Sequence, residues 1–304
     1  MKPLAFIIIT YNRPEDLLAL VKNICQLNEA ASLLEEIIII NNSSQVSYSE
    51  AESFIKQNTT FPFKYIYSEE NLGVARGRNF AITQSTAPIL IMLDDDAEMG
   101  NKDCLINLLE EIEKPTLGRS SAIISFKVLY YSTHEMQVNA LPHKNFSKYN
   151  NLHSFPTYYY AGGAHAIKRE ALNNIGMYPE DFFYGMEEYD LSYRLLDAGY
   201  GIRYSDRIIM LHKESPLGRQ PKKEKLAMMW VNKSKVAWRH LPLIYFYSTA
   251  FMWSLEYLRK SGWDFSGFIG TWNKIFRIPA TEKRNPVCAS TRKYLRAVEA
   301  RLWY

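Results

Sequence analysis

The sequence predicts an α/β fold: a mostly parallel sheet flanked by helices, followed by a helical C-terminal extension. Three observations carry that expectation. Apolar runs of strand length alternate with stretches of helical periodicity through residues 1–115, the pattern of parallel strands joined by crossover helices. The runs at Leu4–Ile9, Glu36–Ile40 and Ile89–Leu93 are nearly unbroken, which asks for burial on both faces. Each ends abruptly in polar residues, namely Thr10-Tyr11-Asn12-Arg13, Asn41-Asn42-Ser43-Ser44 and Asp94-Asp95-Asp96. Ligands of open α/β sheets bind beyond the carboxyl ends of the strands, so these clusters should converge on one crevice.

The elements follow in order. After the first strand, Pro14 suits a first helical turn, and Leu17, Leu18, Val21, Ile24 and Cys25 recur at helical spacing. Ser49–Gln57 is predicted as a helix and Phe63–Tyr67 as a third strand. Asn71–Asn79 opens a helix through Ile82, with Gly73 and Gly77 read as helix-start glycines. Leu105, Leu108, Leu109 and Ile112 form a one-sided apolar stripe. Ala122–Tyr131 is β-rich and leads into a polar, aromatic loop from Ser132 to Pro156, a length usually tied to function. His134, His143 and His153 in this loop match no metal-binding spacing and are expected at the surface. Tyr158–Ile167 is predicted as a strand interrupted by Ala161-Gly162-Gly163-Ala164, either a bend or a place where a ligand nears the backbone. Arg169–Asn174 is a short helix stopped by Gly176. A further helix begins near Glu187-Glu188 and stops at Gly199. Its Asp190 has Arg194 within reach as an i, i+4 partner. Ile202–Tyr204 and Ile208–Leu211 read as two short strands, the second ended by His212.

Composition narrows the class. The 304 residues are 47% hydrophobic and 22% charged, a globular mixture large enough for one α/β domain and an appendage. Cys25, Cys104 and Cys288 lie far apart without metal-type spacing, which speaks against a disulfide framework or structural zinc and for a reducing cytoplasm. The N-terminal apolar run is too short for a signal peptide and is read as the first strand. Neither GxGxxG after the first strand nor GxxxxGK[ST] anywhere is present, so a dinucleotide-binding Rossmann domain and a P-loop NTPase are disfavoured.

Three successive aspartates at a strand end repel one another unless a cation or sugar hydroxyls occupy the gap. Alternatively they form a solvated acidic turn capping the next helix. Glu187 and Glu188 likewise have a structural reading, since carboxylates are favoured at a helix N-terminus. Position at converging strand ends is what favours chemistry over solvation.

The stretches IIITYNRP, IIIINNSS, NLGVARGRNFAI, ILIMLDDDAEM and YAGGAHAIKREALNNIGMYPEDFFYGMEEYDLSYRLLDAGYGIRYSDRIIMLH together resemble the family 2 glycosyltransferases, inverting enzymes of the GT-A fold. The likeness is greatest to the rhamnosyltransferase-like branch that builds bacterial surface polysaccharides. The resemblance implies a nucleotide-sugar donor of the UDP-sugar or dTDP-rhamnose type and a glycan or lipid-linked acceptor. It implies a base-and-ribose pocket at Thr10, Asn12, Arg13, Asn41 and Asn42, with Arg78 nearby. It puts the DXD motif on Asp94 and Asp96, the latter holding Mg²⁺ or Mn²⁺ with His212, while the intervening Asp95 is expected to be dispensable. Gly162 and Gly163 fall on the substrate-binding segment, and the catalytic acidic pair falls on Glu187-Glu188. Glu188 is the preferred base, with Glu187 or Asp190 as alternatives. Asn41 stands where the family usually has Asp, which bears on base preference. A sugar-phosphate nucleotidyltransferase would need a Gly-rich, basic loop after the first strand, which TYNRPED lacks. A catalytically silent binding protein of this fold is the other alternative.

The likeness divides the chain into a catalytic domain, residues 1–219, with a nucleotide-sugar half at 1–115 and an acceptor half at 116–219, and an extension at 220–304. Charge divides with it: the extension carries net +11 and the body −7. Leu241–Leu258 is apolar but interrupted, and shorter than the ~20 residues a spanning helix needs. It reads as a core helix or as half of an interfacial helical pair, aromatic and basic, peripheral to an anionic membrane. No nucleic-acid recognition motif accompanies the basic surface. The oligomeric state is left open.

Overall fold

The computed structural model describes residues 1–217 and 221–303, so the domain boundary expected after residue 219 lies outside the described residues. The first strands form as the apolar runs dictate: β1 (Leu4–Thr10), β2 (Leu34–Asn41), β3 (Phe63–Tyr67) and β4 (Ile89–Asp94) lie parallel in the order β3-β2-β1-β4. The helices α1 (Pro14–Cys25), α2 (Ala30–Leu33), α3 (Ser49–Gln57) and α4 (Gly73–Thr83) connect them. Strand register decides the crevice. Thr10 lies beside Asn41, and Ile9 beside Asp94, so the polar clusters begin at one level of the sheet.

Beyond β4 the sheet changes character. Asp95 and Asp96 form a two-residue turn into β5 (Ala97–Met99), and α5 (Cys104–Glu113) follows. The sheet then takes in β6 (Ser121–Tyr130), a short helix α6 (Phe146–Tyr149) and β7 (Ser154–Thr157). β8 (Ala164–Lys168), α7 (Arg169–Ile175), α8 (Glu187–Asp197) and β9 (Gly201–His212) complete it. β8 inserts antiparallel between β4 and β6, and β9 runs parallel to β6 and antiparallel to β5 and β7. The two short strands expected at 202–211 are thus one long strand, irregular where Phe126 and Lys127 change register against Ser205 and Ile209. The strand expected at 158–167 begins only at Ala164. His143 is also not at the surface: it is buried and stacks on Tyr149 at 3.5 Å between ring centroids.

The C-terminal residues form α9 (Lys222–His240), α10 (Leu243–Ser261), α11 (Phe265–Thr281) and α12 (Ala289–Ala297). Their apolar residues, among them Trp230, Val236, Tyr257, Ile275 and Leu295, join Ile7, Ile38 and Leu191 in one continuous core. Trp230 is fully buried and donates from Nε1 to the Ala250 carbonyl at 2.9 Å. Burying a side chain of this size contributes roughly 1.5–3 kcal/mol, so α9 and α10 are anchored rather than appended. Among the described residues, no helix is long and apolar enough to cross a membrane.

One charge cluster ties the extension to the body. Asp190 on α8 accepts from His240 Nε2 at 2.8 Å and pairs with Arg194 at 2.8 Å and Arg239 at 3.2 Å. Burial pushes its carboxyl up, but His240, Arg194 and Arg239 together outweigh that and hold it below the usual carboxylate range. A carboxylate whose pKa is depressed on folding stabilises the fold above its unfolded value of ~3.9, and that contribution is lost as pH falls. Asp190→Asn is therefore expected to lower unfolding free energy by about 3 kcal/mol at neutral pH, since it removes the one carboxylate that Arg194 and His240 share, while Arg239 keeps Asp181 and Glu282. The difference from wild type should shrink in urea melts below pH ~4.

Candidate active site

The register that ends β4 also builds the site. Leu93 lies opposite Ala164 across the β4–β8 ladder, and the Asp94 amide donates to the Gly163 carbonyl at 3.2 Å. Gly163 therefore passes directly under the Asp94 carboxylate. A Cβ on Gly163 would overlap Asp94 Oδ2 and Cγ, and one on Gly162 would overlap Glu188 Oε1. The sequence reading left open whether these glycines mark a bend or a close approach; they mark a close approach, of two carboxylates from opposite sides.

Glu187 and Glu188 open α8 after Gly185 and Met186, both with positive φ, a turn that aims the helix N-terminus at the sheet end. Their environments differ. Glu187 is 1% exposed and accepts from Arg78 Nη1 at 3.0 Å, whereas the Glu188 side chain retains 17% exposure and faces the cleft. Burial, then the neighbouring Glu188 charge, push Glu187 well above the usual carboxylate range, against the pull of Arg78. Arg78 reaches out of α4, whose Gly77 packs against Ile9 of β1, and is itself buried. Its guanidinium lies 3.7 Å from Glu188 and 3.8 Å from Asp94, as well as against Glu187. One buried cation thus spans the carboxylates on both sides of Gly162-Gly163.

The pairing of β5 with β9 brings the third component. Ala97 lies opposite His212, which sets His212 Nε2 3.4 Å from Asp96 Oδ1. Ligand atoms of Asp94, Asp96 and His212 all lie within 4.8 Å of one another. Gln137 Oε1 lies 3.1 Å from His212 Nδ1, a contact that puts a proton on Nδ1 and turns Nε2 to the aspartate side, where it donates to Asp96 when protonated and offers its lone pair to a cation when neutral. Two carboxylates and an imidazole with an oriented lone pair fit a divalent cation. Burial raises the Asp96 carboxyl, but hydrogen bonding to His212, the Arg13 charge and the Ser215 amide more than offset it.

Asp95 is not a bystander. It accepts from Thr10 Oγ1 at 2.9 Å and from the Tyr11 amide at 3.2 Å, and pairs with Arg13 at 2.6 Å. Burial raises it to about 6 despite Arg13. Its buried carboxylate fixes the first strand end, so the expected dispensability of this residue does not fit its surroundings. Thr10, Asn12 and Asn41 also stand outside the cleft wall. Thr10 Oγ1 binds Tyr48, Asn12 Oδ1 accepts from Gln45 N at 2.8 Å, and Asn41 donates to Tyr65 at 2.7 Å while accepting from Ser44 N. Each of these three side chains is thus already engaged by a neighbour on the sheet side. Arg13, Asn42, Arg78, Asp94, Asp95, Asp96, Gly162, Gly163, Glu187, Glu188 and His212 do line one cleft of ≈ 770 Å³.

Tyr11, Asn71 and Gln137 line the same cleft, though only their surrounding stretches, and for Gln137 only a polar loop, marked them in the sequence. Asn71 was part of a helix start, and the turn there is pinned by Asn42, whose Oδ1 accepts from Leu72 N at 2.8 Å. On the far side, Tyr159 and Tyr189 stack with centroids 5.0 Å apart, and Lys233 Nζ lies 3.3 Å from the Tyr189 centroid. Burial and the Arg301 charge push Lys233 down to about 7.

A mostly parallel sheet with polar strand ends, an acidic turn able to hold a cation and a partly exposed carboxylate across a glycine pair are the features of the GT-A class of transferase. Comparison with known proteins agrees: residues 5–176 match the model of glycosyl transferase family 2, and the chain belongs to that family. An uncharacterized protein of Haemophilus influenzae is 28% identical over 176 residues, 58% of this chain and 92% of its own length. Among solved structures, the mannosyltransferase PcManGT from Pyrobaculum calidifontis, in complex with GDP-Man and Mn²⁺, superposes with a TM-score of 0.62 at 17% identity, covering 100% of this chain and 81% of its own. The S. aureus protein TarS, residues 1–349 with UDP-GlcNAc, gives 0.59 at 15% identity, covering 100% and 89%. At those identities the likeness is one of fold.

Proposed function

We propose that this glycosyltransferase is inverting and metal-dependent, and moves a sugar from a nucleoside-diphosphate sugar to a glycan or lipid-linked saccharide. The donor is of the UDP-sugar or dTDP-rhamnose type, as in the rhamnosyltransferase-like branch. The setting is bacterial surface-polysaccharide assembly in the cytoplasm, at the inner face of the cell membrane. The observation that carries this reading is the opposition of two acidic groups across Gly162-Gly163, with Asp94, Asp96 and His212 on one side and Glu188 on the other.

In this reading Asp96 and His212, with Asp94, hold Mg²⁺ or Mn²⁺, which when bound neutralises the departing diphosphate. Tyr11, Asn42 and Asn71 take the base and ribose, a role first expected of Thr10, Asn12, Arg13, Asn41 and Asn42. Arg13 and Asp95 hold the strand-end loops in register. Glu188 accepts the proton of the acceptor hydroxyl as that oxygen attacks the anomeric carbon, and the C–O bond to the diphosphate breaks on the opposite face. Glu187 is pushed toward its neutral form chiefly by burial, and the Arg78 guanidinium it shares lies 3.7 Å from Glu188. The Tyr159–Tyr189 pair offers an aromatic wall on which an acceptor sugar can stack. The extension, residues 220–304, closes this side of the cleft through Lys225, Met229 and Lys260.

A thermal-shift screen of nucleotide sugars with Mn²⁺ tests the donor side. A ligand at 100 times its Kd should raise stability by ~2.7 kcal/mol. Asp96→Ala should abolish the Mn²⁺-dependent part of that shift. A donor shift that is the same with and without Mn²⁺ in wild type would rule out the proposed metal site. Release of free sugar or glycosylated product, against neither, separates a transferase from a silent carbohydrate-binding protein.

A further inference from the structure

The C-terminal helices leave a second surface that the cleft does not use. α10 buries Phe246, Thr249, Ala250, Ser254 and Tyr257 against the core, and exposes Leu243, Ile244, Tyr247, Phe251 and Leu255 on its other side. The exposure of these five runs from 44% to 61%, and spacing of four residues keeps Leu243, Tyr247, Phe251 and Leu255 in one stripe. The turn into α11 adds Trp263 and Phe265, and α11 itself exposes Ile269 and Phe276 opposite its buried Thr271, Ile275 and Ile278. Isolated exposed apolar residues are ordinary on a protein surface, but a four-residue repeat of them along α10, with more on α11, has the pattern of an interaction site.

We infer that this surface docks onto the headgroup region of an anionic lipid bilayer. Charge selects that occupant over a second copy or an apolar protein partner. Lys274 and Arg277 are exposed within the α11 stripe and make no ion pair with any described residue. The acids along these two helices are both engaged: Glu256 pairs with Arg259 at 2.9 Å and Lys260 at 2.7 Å, and Asp264 caps α11 at Gly267 N and accepts from Tyr257. The outward charge of the surface is therefore positive among aromatic and aliphatic side chains, the make-up of a helix that lies in a membrane interface. Neither helix is apolar enough to span. Lys260, in the last turn of α10, also lines the cleft, so one helix carries both the stripe and a residue of the site. The inference deepens the peripheral location proposed above and rests on that reading only for the lipid-linked acceptor.

Flotation of the full chain with phosphatidylcholine vesicles, with and without phosphatidylglycerol, tests it. Binding is expected to the anionic vesicles and to be at least about tenfold weaker to neutral ones. Lys274→Gln with Arg277→Gln should weaken anionic-vesicle binding roughly 25-fold, about fivefold for each cation. Phe251→Ser with Leu255→Ser should abolish it, with an unchanged melting temperature and an unchanged Mn²⁺-dependent donor shift. Equal binding to both vesicle types, or none, overturns the inference while leaving the transferase reading intact. A dimer in sedimentation equilibrium that Phe251→Ser dissociates would assign the face to a second copy instead. Loss of the donor shift with vesicle binding retained would count against the transferase reading alone.

Discussion

Glu188→Gln is expected to bind a nucleotide sugar as wild type does and to transfer the sugar at least about a hundredfold more slowly, the usual scale of general-base catalysis. That factor corresponds to about 2.7 kcal/mol of transition-state stabilisation. Glutamine keeps the length of the side chain and its contact over Gly162, so the donor side should not move. What it lacks is the lone-pair charge that draws the proton from the acceptor hydroxyl. The other two acids are poorly placed for the role. Asp190 already serves His240, Arg194 and Arg239, and Glu187 is buried behind Arg78 with burial favouring its neutral form. Single-turnover transfer, with donor affinity measured by calorimetry, separates chemistry from binding. Undiminished turnover in Glu188→Gln would move the role to Glu187, whose own glutamine variant would then carry the loss.

How much of this was legible in the sequence follows from how local each signal is. The runs ending in Thr10, Asn41 and Asp94 needed only composition and length, and β1, β2 and β4 formed where those runs stood. Asp94, Asp96 and Glu188 could be found because each sits at the end of an element whose end the sequence marks. The residues that orient them come from elsewhere. Gln137 reaches His212 across 75 positions from a loop that reads as polar and featureless, and Tyr48 and Tyr65 satisfy Thr10 and Asn41 from separate elements. Nothing in a local window tells whether Asn41 faces a base or a tyrosine. The sense of β8 was equally hidden: a strand after a long connection can enter either way, and its antiparallel entry is what sets Gly163 under Asp94. The extension was ambiguous because α10 is apolar on both sides, one packed on Trp230 and the other exposed.

That antiparallel entry yields a pair of substitutions with opposite consequences one residue apart. Gly163→Ala is expected to abolish metal-dependent donor binding, and Gly162→Ala to leave donor binding near wild type while slowing transfer. Neither glycine has a positive φ, so alanine introduces no backbone strain and only its methyl group matters. At position 163 that methyl overlaps Asp94 Cγ as well as Oδ2. Aspartate has one rotatable bond before its carboxyl carbon, and β4 fixes its backbone, so the group must leave the position it shares with Asp96 and His212. At position 162 the nearest atom is Oε1 at the far end of Glu188, and a glutamate has two rotatable bonds before its carboxyl carbon where aspartate has one. Its carboxylate would remain in the cleft but off the line of proton transfer, and a displacement of about 1 Å can cost on the order of 10²-fold. Calorimetric donor titration with and without Mn²⁺, beside single-turnover transfer, reads both variants. Equal loss of donor affinity in the two would mean that the methyl groups disturb the whole 161–164 segment, and that the glycines do not act separately on Asp94 and Glu188.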